Sequence, residues 1–513
     1  MWDSPLIPFS LGIVFVYFVR SVVTQRKRNP RGLPLPPGPK GLPVLGNVFQ
    51  FPKALPWEAY DKLCKEHGDI IYMTALGQGI LVLGSQRRAV DLLEKRAANY
   101  SDRPPFPVIE MMGLGWSFGL MRYGAVWRQY RRAFHKFFNN NAIPTWHPIM
   151  YEEVKGFLRK VQSQPDGIFE HVQLMFGTII MRVAYGFDDI RQNEALVHNA
   201  EALIQGFHKA AAPGRYLVNS FPSLRHVPAW FPGAGFKRHL EALSRMSFNT
   251  IHHPFEEAKL DYAHGKKGQH PSMAASFIDS ISEESGGNRE EMEDVARGVC
   301  GIAYLGGAET SVSSGLALLY ALGSHPEVQT KAQMEIDSFV GPDRLPTMDD
   351  IKDLPYVRAM VKELNRWFTI LPLGLAHSNT EDDEYDGYFI PKGTIILTNN
   401  WATMHNPDVF DNPFEFFPDR YLKDGKIDDS VTDAGIAVFG HGRRLCPGRD
   451  FANDALFLMV ASLLATFTIG TPKDEEGNVI PTLRLEPMNP SASKILPFKC
   501  EFHLRPGREH FLQ

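Results

Sequence analysis

The sequence predicts a mainly α fold with a smaller β portion, preceded by a single N-terminal transmembrane helix. Three observations predict it. Apolar residues recur at helical spacing over most of the 513 residues. Strand signals are confined to a few short stretches, and an apolar run opens the chain. Strands and helices do not alternate as they do in a dinucleotide-binding sheet, and no flavin or nicotinamide fingerprint is present, so any electrons must come from elsewhere.

With 44% hydrophobic and 22% charged residues, the chain can bury a large core, and nothing in it indicates disorder or a fibre. A net charge of -4 gives no reason to expect nucleic acid. Cys64, Cys300, Cys446 and Cys500 show neither paired nor CxxC spacing, which argues against a disulfide framework or a zinc site and fits a reducing compartment.

Taken in order, Pro5 to Val23 is an apolar run long enough, at roughly 28 Å of helix, to cross a bilayer once. Arg26, Lys27, Arg28 and Arg31 follow it and only Asp3 precedes it, so the positive-inside rule puts the bulk of the chain in the cytosol. Residues 1–25 read as an anchor, 26–47 as a basic and proline-rich hinge, and 48–513 as one globular domain. Ile70 to Ala75 and Ile80 to Leu83 read as strands split by Gly77-Gln78-Gly79. Helical segments follow at 87–96, 123–138, 172–185, 236–262, 290–323, 327–339, 356–368 and 449–467. Strand signals return at 388–399, around the turn Pro391-Lys392-Gly393, and in the C-terminal tail.

Five groups of residues carry chemistry. Phe439-Gly-His-Gly-Arg-Arg-Leu-Cys-Pro-Gly448 presents Cys446 just before a helix, whose dipole and free amides favour a thiolate. Gly442 and Gly448 leave room for a flat cofactor, and Arg444 can bind an acidic substituent on it. Gly306-Gly307-Ala308-Glu309-Thr310-Ser311 lies mid-helix, where each glycine costs about 1 kcal/mol relative to alanine. The Thr310 hydroxyl can bond the Gly306 carbonyl four residues back, and Glu309 stands beside it as an acid. Glu363 and Arg366 share a helical face, with Arg420 some fifty residues on. Trp127 and Arg131, both pure donors, share another face. Arg128, Arg132 and Lys136 form a basic stripe that is either solvated surface or a docking patch.

These elements, in this order, resemble the cytochrome P450 monooxygenases, and their wording is most similar to fungal secondary-metabolism members of the O-methylsterigmatocystin oxidoreductase type. The resemblance implies the cytochrome P450 fold and makes 48–513 a haem-thiolate catalytic domain. Cys446 would be the axial thiolate and metal ligand of haem b, with Phe439, Gly442, Gly448 and Gly307 against the cofactor. Trp127, Arg131, His377 and Arg444 would hold its propionates. Glu309 and Thr310 would deliver protons for oxygen activation, and Glu363, Arg366 and Arg420 would brace the cysteine loop. The implied partners are dioxygen, an apolar small-molecule substrate, membrane lipid and an NADPH-cytochrome reductase, on the endoplasmic reticulum membrane. The aromatic and methionine-rich stretch 106–122 would line the pocket, and 219–235 would dip into lipid. The alternatives are a haem-thiolate isomerase or dehydratase, which needs no reductase, and a non-enzymatic haem-binding membrane protein; an intact Glu309-Thr310 pair counts against the isomerase.

Overall fold

A computed structural model describes residues 27–211, 215–266, 268–284, 288–486 and 493–513. The expected anchor at 1–25 lies outside the described residues; among those described, no helix is long and apolar enough to cross a membrane. The order begins with α1 (Pro56–His67), β1 (Ile70–Ala75) and β2 (Gln78–Leu83). There follow α2 (Ala125–His135), α3 (His147–Ser163), α4 (Ile168–Tyr185), α5 (Ile190–Ala211), α6 (Gly235–Ala263), α7 (Met273–Glu283), α8 (Arg289–Ser324), α9 (Pro326–Phe339) and α10 (Pro355–Trp367). The short strands β3 (His377–Ser378), β4 (Asp383–Tyr385), β5 (Tyr388–Ile390) and β6 (Ile395–Thr398) come next, and α11 (Arg449–Thr466) follows the cysteine loop.

The principal sheet has the order β1-β2-β6-β3, with β1 and β2 antiparallel and β2 and β6 parallel. Pairing of Ala75 with Gln78 leaves a two-residue turn, Leu76-Gly77, with both φ positive, as a tight hairpin requires. The stretch 388–399 divides at its Pro391-Lys392-Gly393 turn: β5 pairs with β4 in a separate hairpin, and β6 joins the principal sheet.

α8 is the axis of the molecule. It packs against α2, α4, α5, α6, α7 and α11. Such a helix cannot keep one polar face, and most of its residues from Val295 to Gly323 are buried. Several of its glycines exist for close packing: a Cβ would come within 2.5 Å of Tyr130 at Gly298 and of Ile251 at Gly301, and within 2.8 Å of Phe176 at Gly315. The proline-rich segment is extended and lies on the sheets, its Pro34 and Pro37 carbonyls accepting from the Phe389 and Tyr72 amides at 2.9 and 2.8 Å. Arg28 pairs with Asp382, and Arg31 with Glu384 at 2.6 Å, so these basic residues are tied to the β4–β5 hairpin.

Candidate active site

The cysteine loop is clamped from one side. A turn of π-helix at Val90–Lys95 presses its Leu93 carbonyl toward Gly442, where a Cβ would lie 2.4 Å from that oxygen. Gly442 also has φ +55°, so glycine is demanded twice by the backbone. The Leu93 carbonyl thus accounts for a glycine at 442 whatever lies on the other side of the loop. Gly448, by contrast, faces open space. From the same π turn, Glu94 meets His441 Nδ1 at 3.1 Å, and the Phe439 carbonyl accepts the Cys446 amide at 2.8 Å.

Cys446 retains substantial accessible surface although its thiol lies deep among protein atoms. Burial pushes its thiol pKa up, against the Gly448 amide and the Arg131 and Arg449 charges, which pull it down. Burial thus opposes the thiolate that the helix N-terminus favours, and a metal ion at the sulfur would favour it. Among the described residues no group of three or more His, Cys, Asp or Glu could hold a metal ion. Cys446 can thus be one ligand of a metal whose other ligands belong to a cofactor.

Arg131 and Arg449 act on the sulfur as cations, with the Asp450 carboxylate opposing them. Arg131 is largely buried and makes no hydrogen bond or ion pair to the described residues; burial lowers its pKa, with Cys446 opposing. Arg444 is pushed down to about 10, chiefly by burial, with Asp102 raising it and Arg131 lowering it further. Arg103, which sequence reasoning missed, is pushed down to about 9 by burial and then by Arg444. It donates to the Gly119, Leu375 and Ala376 carbonyls at 2.9, 2.6 and 2.9 Å. The nearby carboxylate, Asp102, is engaged by Arg122 at 2.8 Å.

The other expected donors converge here. Trp127 Nε1 and Arg444 Nη1 both donate to one carbonyl, that of Phe118, at 3.1 and 3.2 Å, and the Arg444 guanidinium lies 4.6 Å from the Trp127 ring. Arg444 also donates to Ser101 and Met121. His377 Nδ1 lies 2.9 Å from the Tyr100 carbonyl, which only accepts, so Nδ1 carries the proton. Burial, then Arg103 and Arg444, hold His377 well below the usual imidazole range and therefore neutral. Three buried guanidiniums with a neutral carbonyl between two of the donors form a cradle suited to a diacid. The residues present fit a haem.

On α8, Thr310 Oγ1 donates to the Gly306 carbonyl at 2.9 Å, the geometry that the four-residue spacing predicts. Gly306 faces open space. Gly307 does not: a Cβ there would meet Ile180 of α4 at 3.1 Å, so this glycine also serves helix packing. Glu309 is met by His208 of α5 at 3.2 Å.

The brace forms as expected. Glu363 and Arg366 are fully buried and joined by two hydrogen bonds of 2.8 Å, and Arg420 reaches Glu363 at 3.1 Å. The remaining Arg366 donors go to the Met404, Pro413 and Glu415 carbonyls at 3.0, 2.6 and 2.9 Å. Asp419, beside Arg420, is held by Lys331 at 2.7 Å and Tyr356 at 3.1 Å. In the stretch 106–122, Met112 and Phe118 are buried, and the half-buried Trp116 donates to the Ser247 hydroxyl at 2.9 Å.

Comparison with known proteins agrees with this geometry. Residues 36–495 match the family model described as Cytochrome P450. The chain is 51% identical over 496 residues, 96% of each chain, to Cytochrome P450 monooxygenase COX1 of Coprinopsis cinerea. It is 40% identical over 463 residues to Cytochrome P450 monooxygenase COX2 of the same fungus, covering 90% of this chain and 87% of that one. It is 34% identical over 471 residues, 91% of each chain, to the Tryptamine 4-monooxygenase of Psilocybe cyanescens.

Proposed function

The chain belongs to the cytochrome P450 family, and from that premise we propose that it oxygenates an apolar small molecule of fungal secondary metabolism, a terpenoid, polyketide or indole. It is an oxidoreductase of the monooxygenase class, with a haem whose iron takes a cysteine thiolate. In the proposed reading Cys446 is that ligand, NADPH supplies electrons through a flavoprotein reductase, and the domain works at the endoplasmic reticulum membrane. The single observation that carries the reading is the accessible sulfur of Cys446 beside Arg131, which makes no hydrogen bond or ion pair among the described residues.

The haem, when bound, supplies the one-electron and dioxygen chemistry. The protein's own residues do the rest. Arg131 and Arg444 would neutralise the cofactor's acidic groups and Trp127 would donate to them, with Trp127 and Arg444 giving up their shared Phe118 carbonyl. Neutral His377 becomes a second donor only by taking up a proton, which an adjacent anion favours. Thr310, its hydroxyl turned to Gly306, keeps a notch open in the helix where water or dioxygen can sit, and Glu309 holds the next proton. The brace keeps the cysteine loop fixed.

Two surface features support the partners. Arg128, Arg132, Lys136 and Arg443 are exposed, as a docking face for an acidic reductase requires. Trp230 is 81% exposed, and Phe221, Phe231 and Leu217 are exposed nearby in sequence, as a lipid-facing substrate entrance requires. Coexpression with a reductase and a mass-spectrometric screen of terpenoid, polyketide, indole and steroid scaffolds tests the function. A product heavier by one oxygen atom is expected. Rearranged products without oxygen gain or NADPH use would instead show an isomerase.

A further inference from the structure

Glu309 does not stand alone on α8. His208, one turn from the C-terminal end of α5, brings Nε2 within 3.2 Å of Glu309 Oε2, and its side chain is only 13% exposed. The other ring nitrogen, Nδ1, is buried and has no hydrogen-bond partner among the described residues. A histidine kept only to tie α5 to α8 would leave that nitrogen unsatisfied, at a cost of about 1–3 kcal/mol. A buried polar atom of this kind in a native fold calls for an ordered water.

We propose that His208 is a positioning residue for the oxygenation chemistry: it extends the proton path by one station, taking protons from water at Nδ1 and handing them from Nε2 to Glu309. This rests on the monooxygenase reading above. The carboxylate only accepts, so Nε2 carries the hydrogen in the resting pair and Nδ1 presents its lone pair. A solvent proton adds to Nδ1, giving the imidazolium. The Nε2 proton then moves to Glu309 Oε2, leaving a neutral ring protonated on Nδ1 and a protonated carboxyl beside Thr310. Water reprotonates Nε2 and the Nδ1 proton then returns to water, which restores the pair, so protons balance with solvent as the only donor. The arrangement also makes delivery depend on α5 lying down on α8, since Glu309 loses this donor when the two helices separate.

His208→Gln separates relay from tether, because the amide can still donate to Glu309 but cannot pass a proton through itself. The test uses full-length holoenzyme with reductase, NADPH and dioxygen, without added organic substrate. Expected are a fall of about 10-fold in dioxygen consumption, a larger solvent deuterium isotope effect and an unchanged carbon monoxide difference band. His208→Ala should fall as far. Independently of turnover, ring-¹⁵N histidine NMR should show one resonance that is absent in His208→Gln and displaced in Glu309→Gln. A His208→Gln enzyme running at the parent rate with the parent isotope effect, or a His208 resonance indifferent to Glu309→Gln, overturns the relay. Absence of the thiolate band in the parent protein would overturn the functional reading and the relay with it.

Discussion

Two groups of buried arginines lie behind and beside the same cysteine loop, and their surroundings differ in kind. In the brace, Arg366 is fully buried with every donor direction met by Glu363 or by a backbone carbonyl, and Arg420 shares the carboxylate. In the cradle, the hydrogen bonds of Arg103 and Arg444 go to carbonyls, and Arg131 makes no hydrogen bond or ion pair among the described residues. A fold can keep the first arrangement for its own integrity. The second lowers the stability of the empty protein and makes sense only with an anion in place. The difference between satisfied and unsatisfied buried charge separates scaffold from site here.

The comparison can be broken most forcefully at the brace. Arg366→Met leaves the buried Glu363 with Arg420 as its remaining cation and should cost about 3–5 kcal/mol of stability, with loss of haem incorporation, read by urea denaturation and by the haem-to-protein ratio. A small effect would mean that the brace is not the scaffold.

A second prediction uses His405, next to Arg366. Burial, with Arg366 contributing, holds its pKa at about 4 against an ordinary 6.5, while its Nδ1 meets the Trp401 carbonyl at 2.9 Å. Below pH 6.5 the unfolded chain takes up a proton that the folded protein refuses, so stability is lost as pH falls toward 4, by up to about 3 kcal/mol from this residue. Denaturation midpoints across that window should fall in the parent and fall less in His405→Gln.

The cradle should behave in the opposite sense. Arg131→Met removes an unpartnered cation, so the haem-free protein should keep its stability or gain up to about 1 kcal/mol, while haem should leave faster to an excess of a haem scavenger. Destabilisation equal to that of Arg366→Met would erase the distinction.

The smallest effect concerns the outer face of α2. Arg132 and Lys136 are exposed where Arg131 turns inward. Reversing both charges should slow reductase-driven turnover on the order of 5-fold and leave peroxide-driven turnover unchanged. Equal loss in both assays would argue against docking.

Much of this was legible in the sequence because it is local. Helical spacing exposed α8 and α11, and the four-residue spacing of Gly306 and Thr310 foretold their hydrogen bond. α3 was missed: Pro148 and Gly156 look like breakers, yet Pro148 sits in the first turn and Gly156 faces open space. α5 carries Gly206, kept because a Cβ would lie 2.4 Å from Leu243. Arg103, within Ser101-Asp102-Arg103-Pro104, reads as a polar turn, and its role depends on carbonyls up to 273 residues away. His208 and Glu309 are 101 residues apart, and no periodicity joins them. The glycines of the two motifs carried the opposite lesson: Gly442 and Gly307 meet backbone and side chain, while Gly306 and Gly448 face the open space.

The central claim is that Cys446 is the thiolate ligand of a haem iron. The carbon monoxide difference spectrum of the reduced, folded protein tests it most directly, with Cys446→Ser measured beside the parent. The account predicts the strongly red-shifted Soret band of thiolate-ligated haem in the parent and its loss in Cys446→Ser with the fold retained. A folded, haem-loaded parent without that band, or a Cys446→Ser protein that keeps it, would contradict the claim.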